Sequence, residues 1–132
     1  MTSAAQKLVL AFLTITVLIG CARTAPIYSV AEMPVVANKP DPTADDVSKA
    51  IIRAGATLGW QMIQTQPGLI VGTFRVREST AVVDVNYTPK SYSIKYKDST
   101  NFRYDGENIH KVYNQSVQSL DKGIRAQLST LF

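Results

Sequence analysis

The sequence predicts an α+β fold, an antiparallel sheet of about four strands with an N-terminal and a C-terminal helix packed on one face. Two amphipathic helix patterns enclose four short strand-like segments, and the third and fourth of these alternate between apolar and polar residues. Turn signals such as Pro67-Gly68 separate these segments, and short connections favour antiparallel neighbours. Residues 44–132 suffice for one modest hydrophobic core, so we predict a single α+β domain there.

The first helix is predicted to begin at Thr43, whose side chain can cap the helix together with Asp46 in a variant of the capping box. Gly59 ends the helix, because glycine tolerates the left-handed conformation that often follows a helix. The face that packs on the sheet is an apolar stripe at spacings of three and four residues: Val47, Ala50, Ile51, Ala54 and Leu58.

Four strands are predicted after this helix, over residues 60–65, 69–77, 81–87 and 92–97. The third alternates clearly, with Val83 and Val85 on one face and Asp84 on the other. The fourth repeats the division, with Tyr92 on the apolar face and Lys95 on the polar one. This pattern is typical of a sheet with one buried face and one face in water.

A C-terminal helix is predicted to begin near Asp105, because an apolar stripe from Ile109 to Leu131 keeps a helical period for over twenty residues. Tyr104 and Ile109 are placed to form a hydrophobic staple around an Asp105 cap. The alternative is a hairpin turn over Tyr104–Glu107, since Asp-Gly is a strong turn signal. The length of the stripe favours the helix.

The first twenty residues have the features of a secretion signal. Leu8–Ile19 is an uncharged apolar run that follows Lys7. The run is too short to span a bilayer, which needs about 20 apolar residues, but it matches the roughly 7–15 residues of a signal-peptide core. We therefore predict a lipoprotein signal peptide over residues 1–20, cleaved between Gly20 and Cys21.

Leu18-Ile19-Gly20-Cys21 resembles the lipobox of bacterial lipoproteins, and Cys21 is the single cysteine of the chain. The resemblance implies that Cys21 is lipidated through its sulfur and becomes the first residue of the mature protein. Two or three acyl chains would hold it firmly on a membrane. Because residue 22 is Ala rather than Asp, the resemblance also implies an outer-membrane location facing the periplasm. The alternative is a cleaved signal that leaves a free thiol.

Residues 21–43, the lipidated Cys and the segment after it, are predicted to form a flexible tether because the segment is rich in proline and shows no helical period. Its centre also contains apolar residues, among them Val30 and Met33. The alternative is that this segment docks on the domain, or on a partner, as an edge strand.

The residues that catalysis requires are scarce. The one histidine, His110, has no Ser, Cys or metal-ligand spacing around it, and we interpret it as a half-exposed helix residue. Asp98–Asn101 and Asp105–Glu107 do not match a calcium loop, so caps and turns explain them better. We predict no catalytic residues, no metal site and no cofactor. Enzyme activity in a His110-dependent site remains the least favoured hypothesis.

Four basic residues suggest a binding face on the outer side of the sheet: Arg75, Arg77, Lys95 and Lys97. Such a face suits anionic cell-wall polymer or phospholipid, although a solvated surface also explains it. The chain is mildly basic, with a formal net charge of +4, and shows no clustered patch for nucleic acid. We predict no nucleic-acid partner.

The run Tyr92–Asn114, with Gly59-Trp60 and Pro67-Gly68 upstream, resembles a family of small outer-membrane lipoproteins of Gram-negative bacteria. The resemblance implies no activity. The leading functional hypothesis is a non-enzymatic module, anchored by lipid and facing the periplasm, that binds an envelope protein or pairs an exposed sheet edge. The alternative hypothesis is a module that binds anionic wall polymer or phospholipid through the basic face.

Overall fold

The computed structural model describes residues 23–132, which form two antiparallel sheets and two helices. The predicted signal peptide, Gly20 and Cys21 lie outside the described residues. The elements in chain order are β1 (Thr24–Pro26), β2 (Val30–Pro34), α1 (Ala44–Thr57), β3 (Gln61–Gln66), β4 (Leu69–Val76), β5 (Ser79–Tyr87), β6 (Ser91–Thr100), β7 (Asn108–His110) and α2 (Lys111–Ser129).

The larger sheet has the strand order β2-β6-β5-β4-β3, and all its neighbours are antiparallel. The predicted α+β class and the antiparallel sheet are confirmed, and the four predicted strands are β3 to β6. The predicted number of strands is too low. β2 adds a fifth strand to this sheet, and β1 and β7 form a second sheet of two strands.

Two of the three additional strands, β1 and β2, come from the segment that was predicted to be a tether. β1 pairs with β7 and β2 pairs with β6, so the docking alternative describes residues 24–34. The contacts continue beyond β2, where the Lys39 amide donates to the Leu131 carbonyl over 2.9 Å. The physical reason is that Val30 is buried in the core and that β6 would otherwise expose an unpaired edge.

Helix α1 begins as predicted, with Thr43 and Asp46 forming both hydrogen bonds of a capping box. Gly59 follows the helix with a φ of 86°, as predicted for a residue that ends it. Lys39 makes a salt bridge of 2.8 Å to the Asp46 carboxylate, which connects the amino-terminal segment to the first turn of α1.

Helix α2 begins at Lys111, six residues later than predicted. Asp105 does not cap it, because its Oδ1 atom accepts the amides of Glu107 and Asn108 and so closes a turn. Asn108–His110 then pairs with β1 as strand β7. A turn is therefore present at Asp105, but it does not join a hairpin because β7 pairs with β1, and the helix prediction is correct only from Lys111 onward.

One hydrophobic core lies between the larger sheet and the two helices. Both helices pack on the sheet face that carries Val83 and Val85, which are fully buried. A buried polar contact joins the sheet to α2, where the Tyr92 hydroxyl donates to Asp121 Oδ1 over 2.6 Å. Arg125 bonds the other oxygen of the Asp121 carboxylate at 3.0 Å. Burial and this hydrogen bond raise the pKa of Tyr92 above its usual value.

Removing the hydroxyl group should lower the free energy of unfolding at one buried tyrosine, Tyr92, but not at another, Tyr113. Tyr92→Phe should lower the free energy of unfolding by about 1.5–3 kcal/mol, because a carboxylate then loses a buried donor. Tyr113→Phe should leave it unchanged or raise it by about 1 kcal/mol, because the Tyr113 hydroxyl is buried without a partner among residues 23–132. Urea unfolding of both variants checks this. Equal losses would contradict the assigned hydrogen bonding.

The Asp46 carboxylate should make stability depend on acid pH. Its hydrogen bonds from Lys39, and then from the Thr43 amide, lower its pKa from 3.8 to about 2. A lowered pKa in the folded state contributes stability above pH 4, which is lost as the pH falls through 2. We expect a smaller loss of stability between pH 4 and pH 2 in Asp46→Asn than in the parent chain. Urea unfolding across this range measures the difference, and identical pH profiles would refute it.

Candidate functional site

The clearest candidate for an interaction site is strand β3, one edge of the larger sheet. β3 hydrogen-bonds only to β4, so its outer side has no strand beside it within the described part of the chain. Its sequence, QMIQTQ, contains no charge and no proline. Edge strands usually carry charges, prolines or irregularities that prevent them from pairing with other chains. β3 lacks these sequence protections, although its register with β4 shifts near Gln66.

The opposite edge, β2, is protected. Its register on β6 shifts between Val30 and Met33, and Glu32 adopts a positive φ of 45° at this irregularity. Pro34 ends the strand and has no amide hydrogen to donate. The two edges of the same sheet therefore differ, and β3 is the one suited to pairing.

Helix α1 holds β3 in place. The Trp60 amide donates to the Gly55 carbonyl over 2.8 Å directly before the strand, and the Trp60 ring lies buried against Phe74. Gly55 lets Met62 lie against the helix, because a Cβ atom at residue 55 would overlap the Met62 side chain. The edge is thus part of a packed layer.

One apolar pair lies on the outer face of the sheet at this edge. Ile63 is 53% exposed and lies opposite Val71 on β4. On the neighbouring strand β5, Asp84 lies opposite Val71. An exposed apolar side chain on an unprotected edge was not singled out in the sequence prediction. The sequence does contain a related signal, because residues 61–66 form a strand segment without charges, whereas edge strands usually carry them.

The residues of the predicted basic face lie at different points along the strands. Lys95 lies opposite Asp84, and Lys97 makes a salt bridge of 3.3 Å to the same carboxylate. Arg75 lies opposite Thr80, four residues from Asp84 along β5, which corresponds to about 13 Å. Arg77 is in the turn between β4 and β5, with a φ of 55°. The register places Arg75 and Lys95 on the same face of the sheet, on the two strands that flank β5.

The remaining candidate residues make local contacts that cap a helix or close a turn. His110 is partly buried and caps α2, with its Nδ1 atom accepting the Val112 amide over 3.1 Å. Asp98 accepts the amide of Ser99, and Asp105 closes its turn. Across residues 23–132, no three His, Cys, Asp or Glu side chains are grouped to hold a metal ion.

A groove of about 570 Å³ opens near the β2 edge, and its only charged lining residues are Glu32 and Lys95. These two residues carry opposite charges. Neither helix of the described chain is long and apolar enough to cross a membrane. The lipidation site proposed for Cys21 lies outside the described residues.

Comparison of the chain with models of protein families, with curated proteins and with solved structures finds no match.

Proposed function

We propose that this protein is a non-enzymatic interaction module of the bacterial envelope, anchored by lipid, that binds a partner protein through the β3 edge. The observation that carries the proposal is an edge strand of six residues that contains no charge and no proline. Its partner would be an extended segment of another envelope protein that adds a strand beside β3. In such pairing, the main-chain hydrogen bonds supply affinity and the side chains supply specificity.

The exposed Ile63 side chain indicates what the partner strand should carry. A partner with an apolar residue facing the outer side of the sheet would cover Ile63 and extend the apolar surface formed with Val71. Cross-strand apolar pairs of this kind stabilise neighbouring strands. We therefore expect the partner segment to be β-prone and to place an apolar side chain beside Ile63.

The proposed anchor is the diacylglycerol of Cys21, as the resemblance of Leu18–Cys21 to a lipobox implies. The proposed location is the outer membrane, with the domain facing the periplasm. Lipid attachment would confine the module to the membrane surface, where its partner would also be found.

In-cell photo-crosslinking tests the proposed edge. A photo-reactive residue replaces Gln61, which is exposed on β3, and a control chain carries it at Gln118, which is exposed on α2. We expect one envelope protein to be captured from position 61 and not from position 118. Ile63→Lys, added to the first chain, should reduce this capture about tenfold or more, because lysine on an edge opposes strand pairing.

A matched control is Lys122→Glu, which changes an exposed charge on α2 far from the edge in sequence. It should leave the capture unchanged. Equal capture from positions 61 and 118, or no effect of Ile63→Lys, would contradict the edge as the binding site. Capture of a second copy of this chain would replace the proposed partner with self-association.

A further inference from the structure

We propose that one end of the domain contacts the anionic headgroups of the phospholipid bilayer. The surface, which we call the basic end, comprises Arg23, Arg77, Arg103 and Lys111. This inference rests on the proposed anchor at Cys21 and adds the orientation in which the anchor holds the domain.

The first observation is where the described chain begins. The Arg23 carbonyl accepts the Lys111 amide over 3.0 Å, and Thr24 pairs with His110. The start of the domain is therefore bonded to the start of α2. Only Ala22 separates Cys21 from Arg23, and two residues span at most about 7 Å. A lipid on Cys21 would bring the bilayer surface close to this point.

The second observation is the positive charge around that point. The Phe102 carbonyl accepts the His110 amide over 2.7 Å, which places Arg103 one residue from this contact. Arg77 and His110 line the same cavity of about 370 Å³. All four members of the basic end are exposed.

The basic side chains of this end are not paired in salt bridges. None of the four basic residues makes a salt bridge among residues 23–132, and residues 1–22 contain no acidic residue. Three acidic residues are close to them in sequence, because Glu78 follows Arg77 and because Asp105 and Glu107 follow Arg103 by two and four positions. The Asp105 carboxylate accepts the amides of Glu107 and Asn108, and these seven residues together carry a net formal charge of +1.

The short distance between Cys21 and Arg23 and the positive charge of the basic end indicate that its ligand is an anionic lipid headgroup. Electrostatic attraction between exposed groups extends about 10 Å at 0.1 M salt. The two-residue connection to Cys21 keeps Arg23 within that range of the headgroups. Arginine and lysine bind phosphate oxygens, and basic residues beside an anchor strengthen attachment to anionic lipid.

Fluorescence quenching in vesicles tests the orientation. The full chain is processed in a Gram-negative host, purified and inserted into vesicles that contain a headgroup-attached quencher. One chain carries a fluorophore on Glu78→Cys and another on Lys90→Cys. These exposed residues lie at opposite ends of β5, whose nine residues span about 30 Å. Mass spectrometry reports separately whether Cys21 carries diacylglycerol.

We expect several-fold stronger quenching at position 78 than at position 90 in vesicles of phosphatidylcholine and phosphatidylglycerol. Arg23→Glu with Lys111→Glu should remove most of the difference, because each lost charge weakens attraction to anionic lipid about fivefold. The hydrogen bond between Arg23 and Lys111 joins main-chain atoms, so both substitutions should leave the fold intact. Lys122→Glu, the matched charge reversal on α2, should have no effect.

Equal quenching at both positions in lipidated protein would overturn the proposed orientation while leaving the proposed anchor and the β3 edge intact. A difference that persists in pure phosphatidylcholine, or in the double variant, would overturn the role of the basic end. Absence of diacylglycerol on Cys21 would overturn the anchor, and this surface with it.

Discussion

The fold depends on the need to cover one apolar face of a five-stranded sheet. Val83, Val85 and Ile94 lie on that face without solvent exposure, and neither helix could bury its own stripe without it. α1 and α2 contact each other and share this face, so the core is formed between two layers. The hydrogen bond between Tyr92 and Asp121 fixes how α2 lies on β6. The opposite face and the β3 edge are left available for binding.

The amino-terminal segment adds strands to this two-layer packing and fixes the start of the described chain on the domain. β2 completes the sheet at the β6 edge, and β1 holds the start of the described chain beside α2. A flexible tether would let a domain rotate above a membrane. This segment is hydrogen-bonded to the domain at Arg23 and again at Lys39. An anchor at its start would therefore fix the orientation of the domain relative to the membrane.

The two proposed surfaces are related by the direction of the strands. Gln61 at the start of β3 lies opposite Thr73, toward the end of β4 that leads to Arg77. Gln66 lies opposite Leu69, at the other end of the sheet. If the basic end rests on the bilayer, β3 runs away from the membrane, and a partner strand beside it would extend into the periplasm. Membrane contact and partner binding would then not compete.

The sequence by itself determined the elements whose signals are local. Period-two alternation identified β5 and β6, and Thr43 with Asp46 identified the start of α1, because strand pleating and helix capping involve neighbouring residues. The sequence also contains a single histidine and a single cysteine.

Tertiary structure decided what depends on distant partners. The segment from Thr24 to Pro34 forms strands only because β6 and β7 offer edges to pair with. Asn108–His110 became a strand instead of a first helical turn for the same reason. The register across β4, β5 and β6 separated Arg75 from Lys95, which sequence alternation had placed on one face. Alternation defines a face, but only strand pairing defines the distance between two residues on it.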